Sequence, residues 1–523
     1  MTLSKAQLSE THAGSQTTSI LPEGSAETAR QHEMDDDERV LVSLGYKQEF
    51  KREFSLWTTF CVSFSILGLL PSYASTMSYG TSKHTAAWLL CKGPGGLYYA
   101  AAVLAPAGWG PFAAWITGWS NWMAQVTAAP SVNYGISGMI LAAVSVTHPG
   151  YVPQPFHTFL LTTSLMIIHG IMSSMSTKWL AELNSYGSTF NIICLILVII
   201  AIPVGTSNVP RFNSSEYVWG TIHNRTSYPD WFAVMMSFLS VIWIMSGYDS
   251  PFHLSEECSN ANIASPRAIV MTSGIGGIMG WFLQLVVAYT LRDIDEVIDS
   301  ELGQPWASYV FQVMPTKLGL AILSGTVICG FSMGQACMIS ASRVTYAYSR
   351  DDCFPFSNIW RKINPYTQTP VNAVWFNCVL GILATFLIFA GDVAMGALFS
   401  IGGISALIAF SIPIAIRVLF VNQRFRAGPW NLGKYTAFIG IPGVSFVVIM
   451  LPIVCFPQVA GSELTLADMN WTCVAYGGPM AGIIFWWMIS ARKWFKGPKV
   501  NLEHAMVSED EDRATNNSTN SLI

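Results

Sequence analysis

Residues 183–210 read LNSYGSTFNIICLILVIIAIPVGTSNVP and contain no Asp, Glu, Lys or Arg. A helix that crosses the hydrocarbon core of a bilayer needs about 20 such residues, so this stretch is long enough to span a membrane. Similar uncharged stretches recur along the chain. They run 54–82, 93–177, 231–248, 268–291, 318–342, 363–391, 393–416, 435–462 and 469–491. The pattern predicts an all-α polytopic membrane protein.

The charged residues are few and are concentrated at the two ends of the chain. Of the 523 residues, 51% are apolar and 11% are charged, whereas a soluble domain is about 25% charged. Soluble classes are therefore excluded, and a net charge of −4 argues against binding nucleic acid. The distribution predicts a disordered cytosolic tail at 1–53, a transmembrane domain at 54–491 and a cytosolic tail at 492–523. Ten cysteines without CxxC spacing predict neither a zinc site nor a disulfide framework.

The loops between the stretches predict the topology. A His-Pro-Gly turn at 148–150 divides the stretch 93–177 into two spans, which brings the total to eleven. Lys and Arg are abundant in the loops on one face only, so the positive-inside rule makes that face and both tails cytosolic. An odd number of spans conflicts with two cytosolic tails, so one span is missing after the first. The opposite face carries three candidate glycosylation sequons, which begin at Asn213, Asn224 and Asn470.

Six short motifs resemble those of a known transporter family. They are LGYKQEFKREFS (44–55), FSILGLLPS (64–72), GGLYY (95–99), GYDSPFH (247–253), SRDD (349–352) and RAGP (426–429). In combination they resemble the fungal GABA permeases, in the amino acid/choline transporter branch of the amino acid–polyamine–organocation superfamily. The resemblance implies a leucine-transporter-like fold of twelve spans, with two inverted five-helix repeats and two extra helices. It also implies that the family's second helix is absent before GGLYY, through a gene-model error or in a shortened product.

Two of the predicted spans contain residues that interrupt a helix. The first span holds Ser65 and Gly68, and the span at 231–248 runs into Gly247, Tyr248 and Asp249. Glycine permits unwinding, and a proline three or four residues after each of these glycines removes a backbone donor. At such a break the N-terminus of a half-helix attracts a carboxylate and the freed carbonyls attract an amine. We therefore predict that these five residues line a substrate site.

Asp249 is the most informative single residue, because a carboxylate within a membrane span is costly and usually functional. We expect it to attract the ammonium group of a substrate or to carry a coupling proton; the alternative is that Asp249 or Ser250 caps the second half of the broken helix. His253, Glu256 and Glu257 follow one to two turns later. These three form an inner gate by pairing with basic residues, or they are solvated at the membrane interface.

Two glutamines are further candidates for binding substrate. Gln125 lies four residues after Asn121 on a predicted helix, so the two amides share a face. Gln335 lies on a later span. The alternative for both is hydrogen bonding between helices.

The sequence favours a transporter over an enzyme, because it lacks the HExxH, GxSxG and Walker motifs. The resemblance implies secondary active, proton-coupled uptake of a small amine or amino acid, with GABA as substrate. Choline, ethanolamine and polyamines remain as alternative substrates, and a nutrient sensor or a transport-inactive shortened product as alternative functions. The expected partners are the substrate, protons and the lipid bilayer, without a cofactor, metal or nucleic acid. The plasma membrane is the expected location, with the vacuolar membrane as the alternative.

Overall fold

The computed structural model describes most of the membrane domain and little of the two predicted tails. The described residues are 52, 54–77, 96–106, 108–420, 433–465 and 468–498. The prediction of disordered tails falls almost wholly outside these ranges, as does the RAGP motif. Within them the chain is all-α, and the single β pairing is an isolated bridge between Phe54 and Cys258.

The described ranges hold twenty α-helices. In chain order these are α1 (Leu56–Leu67), α2 (Leu69–Thr76), α3 (Gly96–Leu104), α4 (Gly110–Thr147), α5 (Pro155–Ser173), α6 (Thr177–Gly205), α7 (Ser215–Gly220), α8 (Asp230–Met236), α9 (Phe238–Ile244), α10 (Ser250–His253), α11 (Ala261–Thr290), α12 (Ile294–Ile298), α13 (Pro305–Val313), α14 (Thr316–Arg350), α15 (Ser357–Trp360), α16 (Val371–Thr385), α17 (Asp392–Leu419), α18 (Tyr435–Ile453), α19 (Thr472–Trp486) and α20 (Arg492–Trp494). Short 3-10 or π segments lie at Ser255–Glu257, Phe386–Ala390, Gly461–Glu463 and Trp487–Ala491.

Ten helical segments of the described chain are long and apolar enough to cross a membrane. This finding confirms the predicted all-α polytopic class. The eleventh predicted span, 231–248, corresponds to α8 and α9, which together form the shorter apolar segment Asp230–Ile244. The second of these helices ends at Ile244, just before the break that the sequence predicted around Gly247.

The spans divide into central and lipid-facing helices. In the most apolar window of Leu56–Thr76, 83% of the residues are buried, against 11% for Thr472–Trp494. Helices α4, α14 and α17 are likewise mostly buried. Helix α6 instead exposes large apolar side chains such as Leu197 and Val204, as a lipid-facing helix does. The broken first span is therefore the most deeply buried of the ten spans in the described chain.

The packed domain extends past the boundary predicted at 491. Helical structure continues from Thr472 to Trp494, and Phe495 is 3% exposed. The Phe495 ring lies 5.2 Å from that of Trp115 on α4. The first residues of the predicted tail 492–523 are therefore part of the folded domain, because their aromatic side chains pack against α4.

Candidate functional site

Helices α1 and α2 are two halves of one span, interrupted at Gly68. Gly68 has a φ of +44°, and a Cβ at this position would lie 2.5 Å from Sδ of Met333 on α14. The Ser72 hydroxyl donates to the Leu67 carbonyl at 2.8 Å and so pairs a carbonyl at the break. The N-terminus of α2 therefore lies beside α14 in the protein interior, where its free N–H groups favour negative charge.

The second break separates α9 from α10 at residues 245–249. Gly247 has a φ of +95°, and a Cβ there would lie 2.3 Å from Cγ2 of Ile66 on α1. Both the conformation and the close approach therefore require glycine. Asp249 occupies the N-cap position of α10, but its side chain makes no capping hydrogen bond. The capping role considered for Asp249 is thus not what the structure shows.

The two breaks lie against each other. The Ser63 hydroxyl donates to the Tyr248 carbonyl at 3.4 Å, and Ile66 contacts the backbone at Gly247. The neighbouring Ser65 hydroxyl donates to the Ser332 carbonyl on α14 at 3.4 Å. Four of the five residues predicted at the breaks are thereby placed at one junction of α1, α14 and the α9–α10 connection.

The fifth, Asp249, lies in a buried polar cluster with two of the other predicted residues. The imidazole Nε2 of His253 lies 2.8 Å from Oδ2 of Asp249. The amide Nε2 of Gln125, on α4, donates to the same Oδ2 at 3.3 Å. Asp249 is 2% exposed, and the side chain of His253 is 5% exposed. The cluster thus holds a carboxylate and an imidazole in direct contact within the membrane domain.

The position of one proton decides which contacts in this cluster are hydrogen bonds. Nε2 of His253 also lies 3.3 Å from Nε2 of Gln125. When His253 carries the proton on Nε2, it donates to Asp249, and its contact with the Gln125 amide is not a hydrogen bond. When the proton resides on Asp249, Nε2 accepts a hydrogen bond instead. The cluster can therefore hold a proton at either of two adjacent sites.

The side chains of two predicted site residues, Tyr248 and Gln335, lie outside the polar cluster around Asp249. The ring of Tyr248 lies 5.4 Å from that of Phe410 on α17, beside an apolar cluster that contains Phe252. The amide of Gln335 donates to the Ser173 hydroxyl on α5 at 2.8 Å. The observed contact of Gln335 is thus the interhelical hydrogen bond considered as its alternative, and substrate binding by this residue stays a prediction.

Glu256 and Glu257 form bidentate ion pairs with two arginines of α14. Nε and Nη2 of Arg343 donate to the two carboxylate oxygens of Glu257 at 2.8 and 3.4 Å. Nη1 and Nη2 of Arg350 donate to those of Glu256 at 3.0 and 2.6 Å. Glu257 and Arg343 are 1% and 3% exposed, whereas the outer pair is 17–18% exposed. Glu257 is therefore not solvated. We call the two ion pairs, Glu257–Arg343 and Glu256–Arg350, the clamp, and both pairs are formed in this structure.

The chain entering α1 is attached to this clamp. The Phe54 amide donates to the Glu257 carbonyl at 3.0 Å, and the Ser259 amide donates to the Phe54 carbonyl at 2.9 Å. The Thr59 hydroxyl on α1 contacts Sγ of Cys258 at 3.2 Å. These contacts connect the start of α1 to the 3-10 turn at Ser255–Glu257. The ion pairs connect that turn to the second half of α14, on the same side of the breaks.

A short helix that sequence reasoning missed covers α2, the other half of the broken span. Helix α13 buries Trp306 fully, and this ring meets that of Tyr73 edge-on at 5.9 Å. The Gln304 amide before α13 donates to the Ala74 carbonyl at 3.2 Å. The signal in the sequence was Gln-Pro-Trp at 304–306, an N-cap followed by proline and an apolar residue. The breaks are therefore enclosed by the clamp at one end and by α13 at the other.

Two buried polar groups beside the second break have no hydrogen-bond partner among the described residues. They are Nε1 of Trp243, on α9, and Oγ of Ser250, at the start of α10. Trp243 packs against Phe399 on α17, with ring centroids 5.0 Å apart. Buried polar groups are usually paired, so these two are candidate hydrogen-bond partners for a ligand. Within the described ranges no group of three or more His, Cys, Asp or Glu is arranged to hold a metal ion.

The three sequon asparagines are engaged in structural hydrogen bonds. In each, Nδ2 donates to two acceptors, and these include main-chain carbonyls of Leu291, Tyr228 and Val454. Attachment of a glycan would remove one of the two donor hydrogens. Glycosylation at Asn213, Asn224 and Asn470 stays a prediction. The observed hydrogen bonds show that each asparagine also fixes the conformation of its loop.

Comparison with known proteins gives one consistent result. The family model described as amino acid permease matches residues 54–479. The chain is 51% identical to an uncharacterized amino-acid permease of Schizosaccharomyces pombe, with 92% of this chain and 94% of that protein aligned. It is 42% identical to a putative polyamine transporter of Candida albicans, with 90% of each chain aligned. It is 30% identical to amino-acid permease 2 of Neurospora crassa, with 91% and 92% aligned.

Proposed function

Because the chain belongs to the amino acid permease family, we propose that it couples the uptake of a small zwitterionic amine to protons. Membership of this family makes the protein a membrane transporter of amino acids or related amines, and not an enzyme. The finer proposal is that GABA is the substrate and that the proton gradient drives secondary active transport. The observation that carries it is the buried Asp249–His253 pair at the second break.

The two breaks offer complementary partners for a zwitterion. The N-terminus of α2 at Gly68 supplies N–H groups for a carboxylate. Asp249 supplies a negative charge for an ammonium group, and the unpaired Oγ of Ser250 lies on the next residue. A ligand with both groups uses both ends of this junction, whereas choline uses only one.

A polyamine is the second candidate, supported by the name of the Candida albicans relative. A polyamine carries several ammonium groups and is best bound by several carboxylates. Of the residues at the two breaks, 63–72 and 243–253, Asp249 is the one acidic side chain. This single charge favours one ammonium group and therefore favours the zwitterion.

Protonation of the Asp249–His253 pair provides a means of coupling. A proton that arrives with the substrate charges the imidazole of His253 and leaves Asp249 negative for the ammonium group, and this change alters the contact between α10 and Gln125. Helix α10 leads directly into Glu256 and Glu257, whose ion pairs with α14 form the inner clamp. We propose that the clamp opens to release substrate into the cytosol.

Uptake of radiolabelled GABA by cells that express the protein tests this proposal. We expect uptake to increase as the external pH falls and to stop when a protonophore is added. Unlabelled GABA should compete, whereas its methyl ester, which lacks the carboxylate charge, should not. Competition by spermidine or choline, but not by GABA, would replace the zwitterion with the alternative substrate.

We also propose that a membrane helix is missing between residues 77 and 96. The alignment with the Schizosaccharomyces pombe relative has 514 positions but includes only 92% of the 523 residues. The shortfall is about 33 positions, enough for one membrane helix of about 20 residues and its connection. Sequencing the transcript across these codons decides the matter. Additional codons would give a twelve-span permease, whereas their absence would favour a shortened, transport-inactive product.

The orientation and location follow from the same proposal. Arg343 and Arg350 lie near the end of α14, which leads into the basic loop that carries Arg361 and Lys362, so the positive-inside rule makes the clamp cytosolic together with both tails. We propose the plasma membrane as the location. Epitope tags at the two ends should be accessible to antibody only after permeabilisation, and fluorescence at the vacuolar rim would exclude the plasma membrane.

A further inference from the structure

Two cysteines differ from the others in their exposure. Nine cysteines lie in the described part of the chain, and seven of these are buried. Cys455 is half-buried and Cys473 is exposed. Cys455 lies just after α18, and Cys473 is the second residue of α19. Both cysteines therefore belong to the connection between the last two spans, at the membrane surface.

The two thiols are neighbours that interact with each other. Burial raises the pKa of Cys455 to about 12, and its interaction with the neighbouring Cys473 thiol adds to this shift. The Cys455 amide donates to the Pro452 carbonyl at 3.1 Å, so its backbone is held by the last turn of α18. Neighbouring thiols on backbones held in place by hydrogen bonds are the arrangement from which a disulfide can form.

The side chain of Asn470 holds the two cysteine-bearing segments together. Its Nδ2 donates to the carbonyls of Val454 and Phe456, on either side of Cys455, at 3.0 Å each. Its Oδ1 accepts from the amide of Thr472, the residue before Cys473, at 3.1 Å. The contact between the thiols is therefore supported by three hydrogen bonds that do not involve sulfur.

We propose that Cys455 and Cys473 form a disulfide on the non-cytosolic face of the protein. This proposal rests on the orientation given above, which exposes the loop to the oxidising compartment where disulfides persist. The oxidant is a protein or low-molecular-weight disulfide. The exposed Cys473 attacks it as a thiolate and releases one thiol of the oxidant. Cys455 then loses its proton and attacks the Cys473 sulfur of the mixed disulfide, which closes the bridge and releases the second thiol.

Differential thiol labelling of the full-length protein tests the bridge. Membranes are denatured in detergent with N-ethylmaleimide to block free thiols, then reduced, and then labelled with a polyethylene-glycol maleimide. We expect a mobility shift of two labels in the wild type, and no shift when reduction is omitted. Cys455→Ser and Cys473→Ser should each abolish the shift, because either change removes the partner.

Serine variants of two other cysteines serve as controls for the labelling. Cys353→Ser, which removes a buried thiol, and Cys91→Ser should both retain the two labels. A wild-type protein without a shift, or a shift that persists in Cys455→Ser, would overturn the proposal. The labelling does not depend on transport. A failed bridge with normal GABA uptake, and a bridge without uptake, are therefore distinguishable outcomes.

Discussion

At the scale of single residues, the candidate site depends on a few buried side chains and on the partners that each of them contacts. Asp249 is buried with His253 and Gln125 as its hydrogen-bond partners, and Gly247 admits no side chain. A buried carboxylate without a partner is strongly unfavourable, so this cluster is retained only if its partners remain in place. The same dependence makes each of these residues a sharp test.

His253→Gln separates substrate binding from proton coupling. Glutamine keeps an amide donor for Asp249 but cannot take up a proton at physiological pH. We expect exchange of internal for external GABA to remain within about threefold of wild type, while protonophore-sensitive accumulation falls by about a hundredfold or more, the lower end of the effect of a lost general acid–base step. His148→Gln, in an exposed turn, should change neither. Accumulation by His253→Gln at the wild-type level would exclude His253 as a proton carrier.

Gly247→Ala tests whether the second break requires glycine. A Cβ at this position meets Ile66 at 2.3 Å on a backbone with φ of +95°, so we expect a loss of about 1–3 kcal/mol. The melting temperature of the detergent-solubilised protein measures the loss. The matched control is Gly274→Ala on α11, where no atom lies within 4 Å of the added methyl. Equal melting temperatures for the two variants would contradict the strained geometry.

At the scale of elements, the four-residue helix α10 connects the polar cluster at Asp249 to the clamp formed by Glu256 and Glu257 with α14. Helix α10 carries Asp249 at its N-cap and leads into Glu256 and Glu257. Arg343 lies ten residues after Met333 on α14, which is about 15 Å along the helix at 1.5 Å per residue. Helix α14 therefore contacts the first break with one part and the clamp with another. We therefore expect a movement of α10 to change both the polar cluster at Asp249 and the ion pairs of the clamp.

The two ion pairs of the clamp should differ in their contribution to stability. Glu257→Gln removes the charge that pairs with the buried Arg343, at a cost of about 3–5 kcal/mol. Glu256→Gln affects a pair that is partly exposed, and we expect a cost of about 1 kcal/mol or less. Thermal melting in detergent measures both variants.

Charge reversal at the inner pair separates the ion pair from simple packing. The double variant Glu257→Arg with Arg343→Glu should recover part of the stability that either single reversal loses. Single reversals should also increase the labelling of the buried Cys258 by a thiol reagent from the cytosolic side. A double variant no more stable than the singles would show that the charges do not act as a pair.

At the scale of the whole molecule, much of the architecture was predictable because a bilayer restricts the sequence so strongly. Spans must be long and nearly free of charge, so ten of them were readable as uncharged stretches. The breaks at Gly68 and Gly247 were predictable because glycine and proline act locally. The contact of Gln125 with Asp249 was not, because it depends on how α4 packs against α10. For the same reason, the sequence did not predict which arginines pair with Glu256 and Glu257. It also did not predict that α13 covers α2.

The central claim is that Asp249 lies in the substrate site and binds the ammonium group of a zwitterion. Asp249→Asn keeps the shape and the hydrogen-bond acceptor of the side chain but removes its charge. GABA uptake should be measured in cells that express the natural transcript of this protein, with surface delivery quantified in parallel. The control variant is Glu216→Gln, which makes the same chemical change at an exposed position.

We predict that Asp249→Asn lowers uptake by about tenfold or more, since a charge-assisted hydrogen bond contributes about 1.5–3 kcal/mol and about 1.4 kcal/mol is a factor of ten. Delivery to the membrane should be unchanged, and Glu216→Gln should transport as the wild type does. Wild-type uptake by Asp249→Asn at equal surface delivery would contradict the account, because the buried carboxylate would then have no part in binding or coupling.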